Sequence, residues 1–185
     1  PLVSHTPWRE FVLHSAGRVL PGIMEAKILS DDPENEPGEI CVKGENVMMG
    51  YYHNTDATDK VLHEDGWLHT GDMGTISADG TLFIKGRLKT MLLGANGQNI
   101  YPEEIEAKLN NMSYVNESLV VERDGKLVGL VYPDYEVMDA QGITRDKMPE
   151  KMEEVRTELN KLVAPYERLA RIELSASEFE KTPKR

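Results

Sequence analysis

The sequence predicts an α+β fold in which a β-rich part is followed by a smaller α+β domain. Between residues 17 and 93, glycine and proline turns separate short strand-like runs, a pattern that favours strands over helices. From Pro102 onward the apolar residues adopt helical spacing, interrupted by one further pair of strand-like runs. A glycine-containing loop, residues 86–97, separates the two patterns, and such a loop can act as a hinge.

Several segments of the first part have the composition of strands. Residues Glu39–Lys43 alternate polar and apolar side chains as a half-buried strand does. Asp79-Gly80 tolerates the positive φ angles of a two-residue type I′ turn and therefore predicts a hairpin. The predicted strands are Arg18–Leu20, Glu25–Leu29, Glu39–Lys43, and the hairpin of Thr75–Ser77 with Thr81–Lys85.

The second part is predicted as helix, hairpin, helix and strand. A proline at the first helical position and acids in the first turn favour a helix over Pro102–Leu109, with Ile105, Leu109 and Met112 as its apolar stripe. Asp124-Gly125 joins the two strands of the hairpin, Ser118–Glu122 and Lys126–Tyr132. A polar loop over 133–144, a helix over Asp146–Val163 and a strand over Ala170–Leu174 follow, and the apolar helix positions are Met148, Met152, Val155, Leu159 and Leu162.

Composition and charge limit the classes of function. With 39% hydrophobic and 29% charged residues among 185, the chain is typical of a globular protein, and no apolar run approaches the roughly 18 residues of a membrane span. Lys and Arg number 21 against 32 Asp and Glu, and the net charge of −11 disfavours nucleic acid and anionic membranes as partners. Cys41 is the single cysteine, which excludes an internal disulfide and is typical of a reducing, cytoplasmic compartment.

Three segments carry groups that suit a nucleotide or another anionic ligand. Asp72 follows a glycine within residues 66–72, where its carboxylate can accept two hydrogen bonds from a vicinal diol or can cap backbone amides in a turn. Arg87 and Lys89 follow the predicted hairpin and can hold phosphate oxygens or remain solvated. The loop around Gly97 runs into a helix, where backbone amides can approach an anion or a narrow ligand.

The sequence predicts no metal site. His63 and His69 are the histidines that come closest to a pair, but their spacing matches no helical i, i+4 ligand arrangement. A chain with one cysteine also lacks the usual zinc ligand set.

In combination and order, five segments resemble the adenylate-forming enzyme superfamily. They are Gly38-Glu39-Ile40, Met49-Gly50-Tyr51-Tyr52, Gly66-Trp67-Leu68-His69-Thr70-Gly71-Asp72, Gly86-Arg87-Leu88-Lys89 and Gly97-Gln98-Asn99-Ile100-Tyr101-Pro102-Glu103-Glu104-Ile105-Glu106. The resemblance covers essentially the whole chain. Within the superfamily, the sequence is most similar to bacterial long-chain fatty acid CoA ligases.

The resemblance implies a two-step enzyme that uses ATP, Mg²⁺ and CoA. A fatty acid or other carboxylate attacks the α-phosphate of Mg-ATP to give an acyl-adenylate, and the CoA thiol then displaces AMP. The resemblance further implies that Asp72 binds the ribose hydroxyls, that Arg87 contacts ribose or phosphate, and that Lys89 is the hinge residue. Gly97 and Gln98 would belong to the loop that faces CoA.

The resemblance also implies a domain division. Residues 1–85 correspond to the distal β-rich part of the N-terminal AMP-binding domain, residues 86–97 to the hinge and loop, and residues 98–185 to the small mobile C-terminal α+β domain. The family's phosphate loop and its Tyr-Gly-x-Thr-Glu motif have no match, and the catalytic lysine is expected just beyond Arg185, with Lys184 out of register for that role. We therefore expect a segment of a longer ligase, lacking the rest of the N-terminal domain, that is inactive alone and requires no cofactor by itself.

Departures from the family and alternative functions stay open at this point. Thr90 replaces a common aspartate and Leu93 replaces a lysine of some members, so no phosphate contact is assigned to either. An amino-acid or other carboxylate adenylation domain shares the Thr-Gly-Asp and hinge motifs, although residues 98–106 look more like fatty acyl ligases. A non-catalytic nucleotide-binding module is the other alternative. The start at Pro1 is typical of a segment of a longer chain or of a processed mature protein.

Overall fold

The computed structural model describes residues 1–94 and 97–181 and divides the chain into two compact units. Unit 1 spans Pro1–Lys89 and unit 2 spans Thr90–Arg185. Both units contain strands and helices, which confirms the predicted α+β class. The assignment of these units to domains of an enzyme stays a prediction.

Unit 1 is built on a four-stranded antiparallel sheet. Its elements are β1 Ser4–His5, β2 Arg18–Val19, β3 Met24–Leu29, β4 Gly38–Gly44, α1 Thr55–Asp59, β5 Leu68–Ile76 and β6 Leu82–Arg87. The sheet has the order β3-β4-β5-β6, so that each strand pairs with the next one along the chain. β1 and β2 form a separate antiparallel ribbon.

One face of the sheet carries the apolar core of unit 1. Ile40 and Val42 are buried on β4 and alternate with Glu39 and Cys41, because successive side chains of a strand point to opposite faces. The predicted alternation is therefore confirmed within a strand slightly longer than expected. The buried core residues are Met24, Ile28, Ile40, Val42, Leu68 and Leu82.

β5 is longer than the sequence predicted. The glycines within residues 66–72 favour a turn before the predicted hairpin, but β5 begins at Leu68, so that Asp72 lies inside the sheet. Gly71 and Gly74 lower the local strand propensity and give the segment the appearance of a turn. Pairing with β4 and β6 on both sides overrides that preference.

The hairpin between β5 and β6 has a three-residue loop instead of the predicted two-residue type I′ turn. Gly80 has a φ of 83°, whereas Asp79 does not have a positive φ. The N–H of Gly80 donates to the carbonyl of Ser77 at 2.8 Å, and the N–H of Ser77 donates to Thr81 at 2.9 Å. This is a type I turn closed by a left-handed glycine. The Asp79 carboxylate stabilises it by accepting from the Ser77 hydroxyl at 2.7 Å.

Unit 2 combines a three-stranded sheet with helices. Its elements are β7 Leu92–Leu93, β8 Asn99–Ile100, α2 Pro102–Leu109, β9 Val115–Arg123, β10 Lys126–Pro133, α3 Tyr135–Ala140, α4 Met148–Leu162 and β11 Arg171–Leu174, with 3₁₀ turns at Arg145–Lys147 and Pro165–Glu167. β10 pairs antiparallel with β9 and parallel with β11. β7 and β8 form a two-stranded ribbon. The predicted order of helix, hairpin, helix and strand is confirmed.

Helices α2 and α4 contribute the core of unit 2 through the positions that the periodicity predicted. Ile105, Leu109 and Leu159 are fully buried, and Met112 is partly buried at the edge of the same core. The prediction was wrong for Leu162, whose exposed fraction is 62% at the last residue of α4. The other buried residues of α4 are Met148, Met152 and Val155.

Two short helices were missed by the sequence pattern. α1 is capped by Asn54, whose side chain accepts from the N–H of Ala57 at 3.0 Å. α3 interrupts the predicted polar loop and is capped by Asp134, which accepts from the N–H of Val137 at 3.0 Å. α3 buries Met138. Helices of this length have too few residues for a periodicity, so that only the capping residue marks them.

A partly buried carboxylate connects α2 to β9. Glu106 Oε1 accepts the backbone N–H of Val120 at 2.7 Å. Burial raises the pKa of the Glu106 carboxyl group above its ordinary value, opposed by this hydrogen bond and assisted by the negative charge of Glu103. The charged form of Glu106 is therefore disfavoured in the folded unit.

We expect Leu159→Ala to lower the free energy of unfolding of unit 2 by about 3 kcal/mol, because it leaves a cavity in the core. Leu162→Ala, the same substitution at an exposed position of the same helix, should change it by less than about 0.5 kcal/mol. Urea unfolding followed by helical circular dichroism reports mainly on unit 2, which holds all helices longer than five residues among the described ones. Equal effects of the two substitutions would contradict the described burial.

The raised pKa of Glu106 predicts a pH dependence of unit 2. Since the protonated form is favoured on folding, stability is greatest below the ordinary glutamate range and falls as the pH rises through the pKa of the folded state. Glu106→Gln keeps an oxygen acceptor for Val120 without a charge. The stability of this variant should therefore fall less than that of the wild type as the pH rises. Urea midpoints measured over a pH series test this, with Glu158→Gln on the surface of α4 as control. A constant offset between wild type and Glu106→Gln at every pH would be the opposing result.

Candidate functional site

A bulge in β5 forms the Thr-Gly-Asp segment. The ladder between β4 and β5 shifts from the pair Glu39 and Met73 to the pair Cys41 and His69. Ile40 of β4 therefore lies opposite three residues of β5, the segment 70–72. Bulges of this kind bend a strand and redirect its side chains.

Side chains replace the lost ladder contacts around the bulge. Glu39 Oε1 accepts the N–H of Gly71 at 3.1 Å, and the Thr70 hydroxyl donates to the carbonyl of Ile40 at 2.8 Å. The same hydroxyl accepts the N–H of Asp72 at 3.1 Å. Gly71 has a φ of 73°, a conformation that side chains other than glycine adopt at a cost. The conformation of the segment is thus fixed at every residue.

Asp72 and Arg87 come together across β5 and β6. The two residues are register partners, and Arg87 Nε lies 3.5 Å from Asp72 Oδ1. Their side chains are 34% and 71% exposed for Asp72 and Arg87, respectively. The carbonyl of Gly71 accepts the N–H of Leu88 at 2.8 Å, which holds the chain after β6 beside the bulge. Two predicted nucleotide-binding residues therefore form one exposed pair.

Lys89 and Thr90 lie in the turn after β6, at the division between the two units. The side chains of both residues are exposed. Within unit 2, the Thr90 hydroxyl donates a hydrogen bond to Glu103 Oε1 in the first turn of α2. The first residue of unit 2 is thereby attached to a helix.

Two backbone hydrogen bonds join the described residues of the loop between β7 and β8. The N–H of Gly94 donates to the carbonyl of Gln98, and the N–H of Gly97 donates to the carbonyl of Gly94, both at 2.8 Å. Gly97 has a φ of 81° and is exposed, and among the described residues beyond its chain neighbours no heavy atom lies within 4 Å of the position that a Cβ would occupy there. The backbone at Gly97 is therefore open to a ligand.

A cavity of about 350 Å³ lies beside this loop in unit 2. Gln98 and Tyr166 line it together with two cationic side chains, Lys126 and Arg168, and one carboxylate, Glu122. Its volume is at the small end of the range for ligand pockets, about 300 to 1,000 Å³. The lining suits a narrow ligand that carries negative charge.

Some sequence-based expectations fall outside the described residues. Lys184 and the other residues directly before the expected catalytic lysine belong to residues 182–185, and the glycine loop includes Ala95 and Asn96. Among the described residues, no helix combines the length and apolar character needed to cross a membrane.

The sequence did not predict the cluster of Glu39, Cys41 and His69. His69 Nδ1 lies 2.7 Å from Glu39 Oε2 and 3.6 Å from Cys41 Sγ. The ring of His63 stacks on that of His69 with 4.0 Å between centroids. Glu39 and Cys41 share a face of β4 by alternation, but only the cross-strand pairing of Cys41 with His69 brings the third residue to them.

Comparison with known proteins identifies the family. The model of the AMP-binding enzyme family matches residues 2–52. A 4-coumarate–CoA ligase 5 of Oryza sativa subsp. japonica is 38% identical over 80% of this chain, and a long-chain-fatty-acid–CoA ligase of Escherichia coli O6:H1 (strain CFT073) is 46% identical over 57% of it. The crystal structure of ATP-bound MatB from Rhodopseudomonas palustris superimposes on 97% of this chain with a TM-score of 0.74 and 28% identity.

The chain belongs to the adenylate-forming, AMP-binding enzyme family. The resemblance stated from its motifs is therefore confirmed. This adenylate-forming chain spans 27% of the Oryza ligase, 19% of the Escherichia ligase and 35% of the MatB chain. It corresponds to a part of each of these relatives.

In this adenylate-forming chain, we expect Glu39→Ala to destabilise unit 1 by about 1 to 3 kcal/mol, because it removes the acceptor of the Gly71 N–H in the bulge. Glu25→Ala, at an exposed position of β3 in the same sheet, should cost less than about 0.5 kcal/mol. Both tryptophans, Trp8 and Trp67, lie in unit 1, so urea unfolding followed by tryptophan fluorescence measures the effect. Indistinguishable midpoints for the two variants would refute the role of Glu39.

Proposed function

We propose that the protein containing this chain is an ATP-dependent, AMP-forming CoA ligase that activates a fatty acid. The observation that carries the proposal is the exposed pair of Asp72 and Arg87, which the bulge in β5 and the adjacent strand β6 hold together. A carboxylate accepts hydrogen bonds from hydroxyl groups, whereas a guanidinium group binds phosphate oxygens. The two groups side by side suit a nucleoside phosphate.

In the adenylation step, Asp72 is proposed to accept hydrogen bonds from the ribose hydroxyls of ATP while Arg87 contacts ribose or phosphate. Their mutual contact of 3.5 Å is exposed, so it contributes at most about 1 kcal/mol and can be exchanged for contacts with a ligand. The substrate carboxylate then attacks the α-phosphate, pyrophosphate leaves and an acyl-adenylate forms. The family's Mg²⁺ ligand and phosphate loop belong to motifs without a match in this sequence, so we assign this segment a role in binding the nucleotide.

In the second step, the CoA thiol attacks the acyl carbonyl carbon and AMP leaves. We propose that Gly97 and Gln98 border the path of the pantetheine arm, since the backbone at Gly97 is open. The adjacent cavity supports this proposal, because Lys126 and Arg168 can pair with the phosphates of CoA. Gln98 lines the same cavity as Lys126 and Arg168, so one ligand can contact the loop and both cations without a rearrangement of unit 2.

We propose that the chain pivots at Lys89 between the two steps. A single site that presents both a nucleotide clamp and a thiol channel must rearrange between them. Thr90 is hydrogen-bonded to Glu103 of α2, so it is proposed to move with unit 2. The φ and ψ angles that change are then those of Lys89. Thr90 thereby acquires a structural contact at the position where many members of the family carry aspartate.

Two relatives point to different carboxylic acids as the substrate. Similarity to the Escherichia long-chain-fatty-acid–CoA ligase, at 46% identity, supports a fatty acid. The Oryza 4-coumarate–CoA ligase is 38% identical over a longer part of the chain, which makes an aryl carboxylate the second candidate. Activity with the two classes of acid decides between them.

AMP release tests the proposed function. The whole protein is supplied with ATP, Mg²⁺, CoA and, in parallel, a ladder of fatty acids, 4-coumarate and the common amino acids, and the 185-residue chain is treated in the same way. We expect AMP release by the whole protein with fatty acids and none by the chain alone. Strongest turnover with 4-coumarate would move the assignment to an aryl ligase. Turnover with amino acids only, or with no acid, would overturn the CoA ligase proposal.

Asp72→Asn in the whole protein should lower kcat/KM for ATP about 10- to 100-fold, because hydrogen bonds to a charged group contribute about 1.5 to 3 kcal/mol. The matched control is Asp31→Asn, which removes an exposed carboxylate from a loop of the same unit and should leave kcat/KM unchanged. Steady-state AMP formation over a range of ATP concentrations measures both. An Asp72→Asn protein with wild-type kinetics would exclude Asp72 from the nucleotide site.

A further inference from the structure

One face of the unit 1 sheet, opposite its apolar core, carries three different metal-ligating groups. Glu39 and Cys41 are two residues apart on β4, and His69 is the register partner of Cys41 on β5. The candidate ligand atoms of the three side chains all lie within 4.8 Å of one another. None of these three residues has been given a role in the proposed nucleotide or CoA chemistry.

The two distances from His69 Nδ1 to the other ligand atoms are near those between the ligands of a coordinated ion. Zinc bonds of about 2.3 Å to sulfur and about 2.0 Å to nitrogen and oxygen place the ligand atoms of a tetrahedral site roughly 3.3 to 3.6 Å apart. Cys41 Sγ and His69 Nδ1 are 3.6 Å apart, in agreement with that geometry. His69 Nδ1 and Glu39 Oε2 are 2.7 Å apart as a hydrogen-bonded pair and need to separate by about half an ångström.

We propose that Glu39, Cys41 and His69 form a binding site for a zinc-class divalent cation. Thiolate, imidazole and carboxylate are the three ligand types that zinc takes in proteins, and three protein ligands leave a fourth position for water. On binding, the Cys41 thiol loses its proton to solvent, and the resulting thiolate sulfur bonds to the metal.

The surroundings of the cluster favour an ordered site. Glu39 would bind through Oε2, because its Oε1 already accepts the N–H of Gly71, and such a hydrogen bond orients a ligating carboxylate. The side chains of His69 and Glu39 are 20% and 16% exposed, so an ion can enter from their side although Cys41 is fully buried.

Charged groups of neighbouring elements also face the thiol. Burial raises the pKa of the Cys41 thiol to about 11, and the charges of Glu39 and Asp65 act in the same direction, while Lys27 on β3 opposes them. The thiol is therefore protonated and unreactive when no metal is bound. The Lys27 ammonium lies 4.2 Å from the centroid of the Trp67 ring, which gives that cation a partner of its own.

The experiment is a Co²⁺ titration of the 185-residue chain monitored by near-ultraviolet absorption. A cobalt–thiolate bond gives a charge-transfer band, and Cys41 is the single cysteine, so that a band in the unmodified chain assigns the ligand without any substitution. We expect the band to appear on addition of Co²⁺ and to disappear on addition of Zn²⁺, which competes for the same ligands. His69→Ala should weaken Co²⁺ binding about 10-fold or more.

The matched control is His63→Ala. It removes the imidazole that stacks on His69 but does not belong to the three-residue group, so the cobalt band should persist with similar affinity. Tryptophan fluorescence verifies that each variant keeps unit 1 folded, since both tryptophans lie there.

Two results would overturn the metal site. One is the absence of a thiolate band at saturating Co²⁺ in the folded chain. The other is a band that His69→Ala leaves intact, which would place the thiolate in a different ligand set. Neither result depends on ATP, CoA or catalytic turnover, so the metal site and the ligase proposal are tested independently.

Discussion

The hydrogen bond from the Gly71 N–H to the Glu39 carboxylate holds the bulge of β5 in place, and the position of Asp72 depends on that bulge. A bulge that sets three residues of β5 opposite one residue of β4 leaves backbone groups without ladder partners, and an unpaired N–H inside a sheet is costly. Glu39 accepts the N–H of Gly71, and Thr70 bonds to Ile40 and Asp72. Because these bonds fix the bulge, they also fix where Asp72 stands relative to Arg87.

In unit 2, carboxylate side chains likewise accept hydrogen bonds from backbone N–H groups. Glu106 accepts the N–H of Val120, and Glu167 accepts the N–H of Ala164 at 2.9 Å. Part of the acidic excess of the chain therefore bonds to its own backbone. Cationic side chains, in contrast, occupy the positions proposed to face ligands, namely Arg87, Lys126 and Arg168. A chain with a net charge of −11 can bind anionic ligands when its few cations are placed in this way.

The sequence predicted the elements whose signal is local and repeated. Helical spacing located α4 and the buried Leu159, and alternation located β4. The extent of β5 could not be predicted, because its glycines resemble a turn and its strand character comes from pairing on both sides. The meeting of Cys41 with His69 depends on cross-strand register beyond the bulge, which no spacing along the chain encodes. Asp72 and Arg87 were predicted through motif order, although their pairing across β5 and β6 required the structure.

The separate cores of the two units bear on how such a chain can evolve. Among the described residues, the core cluster around Ile40 and Leu82 and the one around Leu109 and Leu159 share no member. The connection at Lys89 and Thr90 consists of exposed residues in a turn. A recombination crossover at this point would exchange one core cluster for a related one and leave the other cluster within a single parent. We therefore expect chimeras joined there to retain both core clusters.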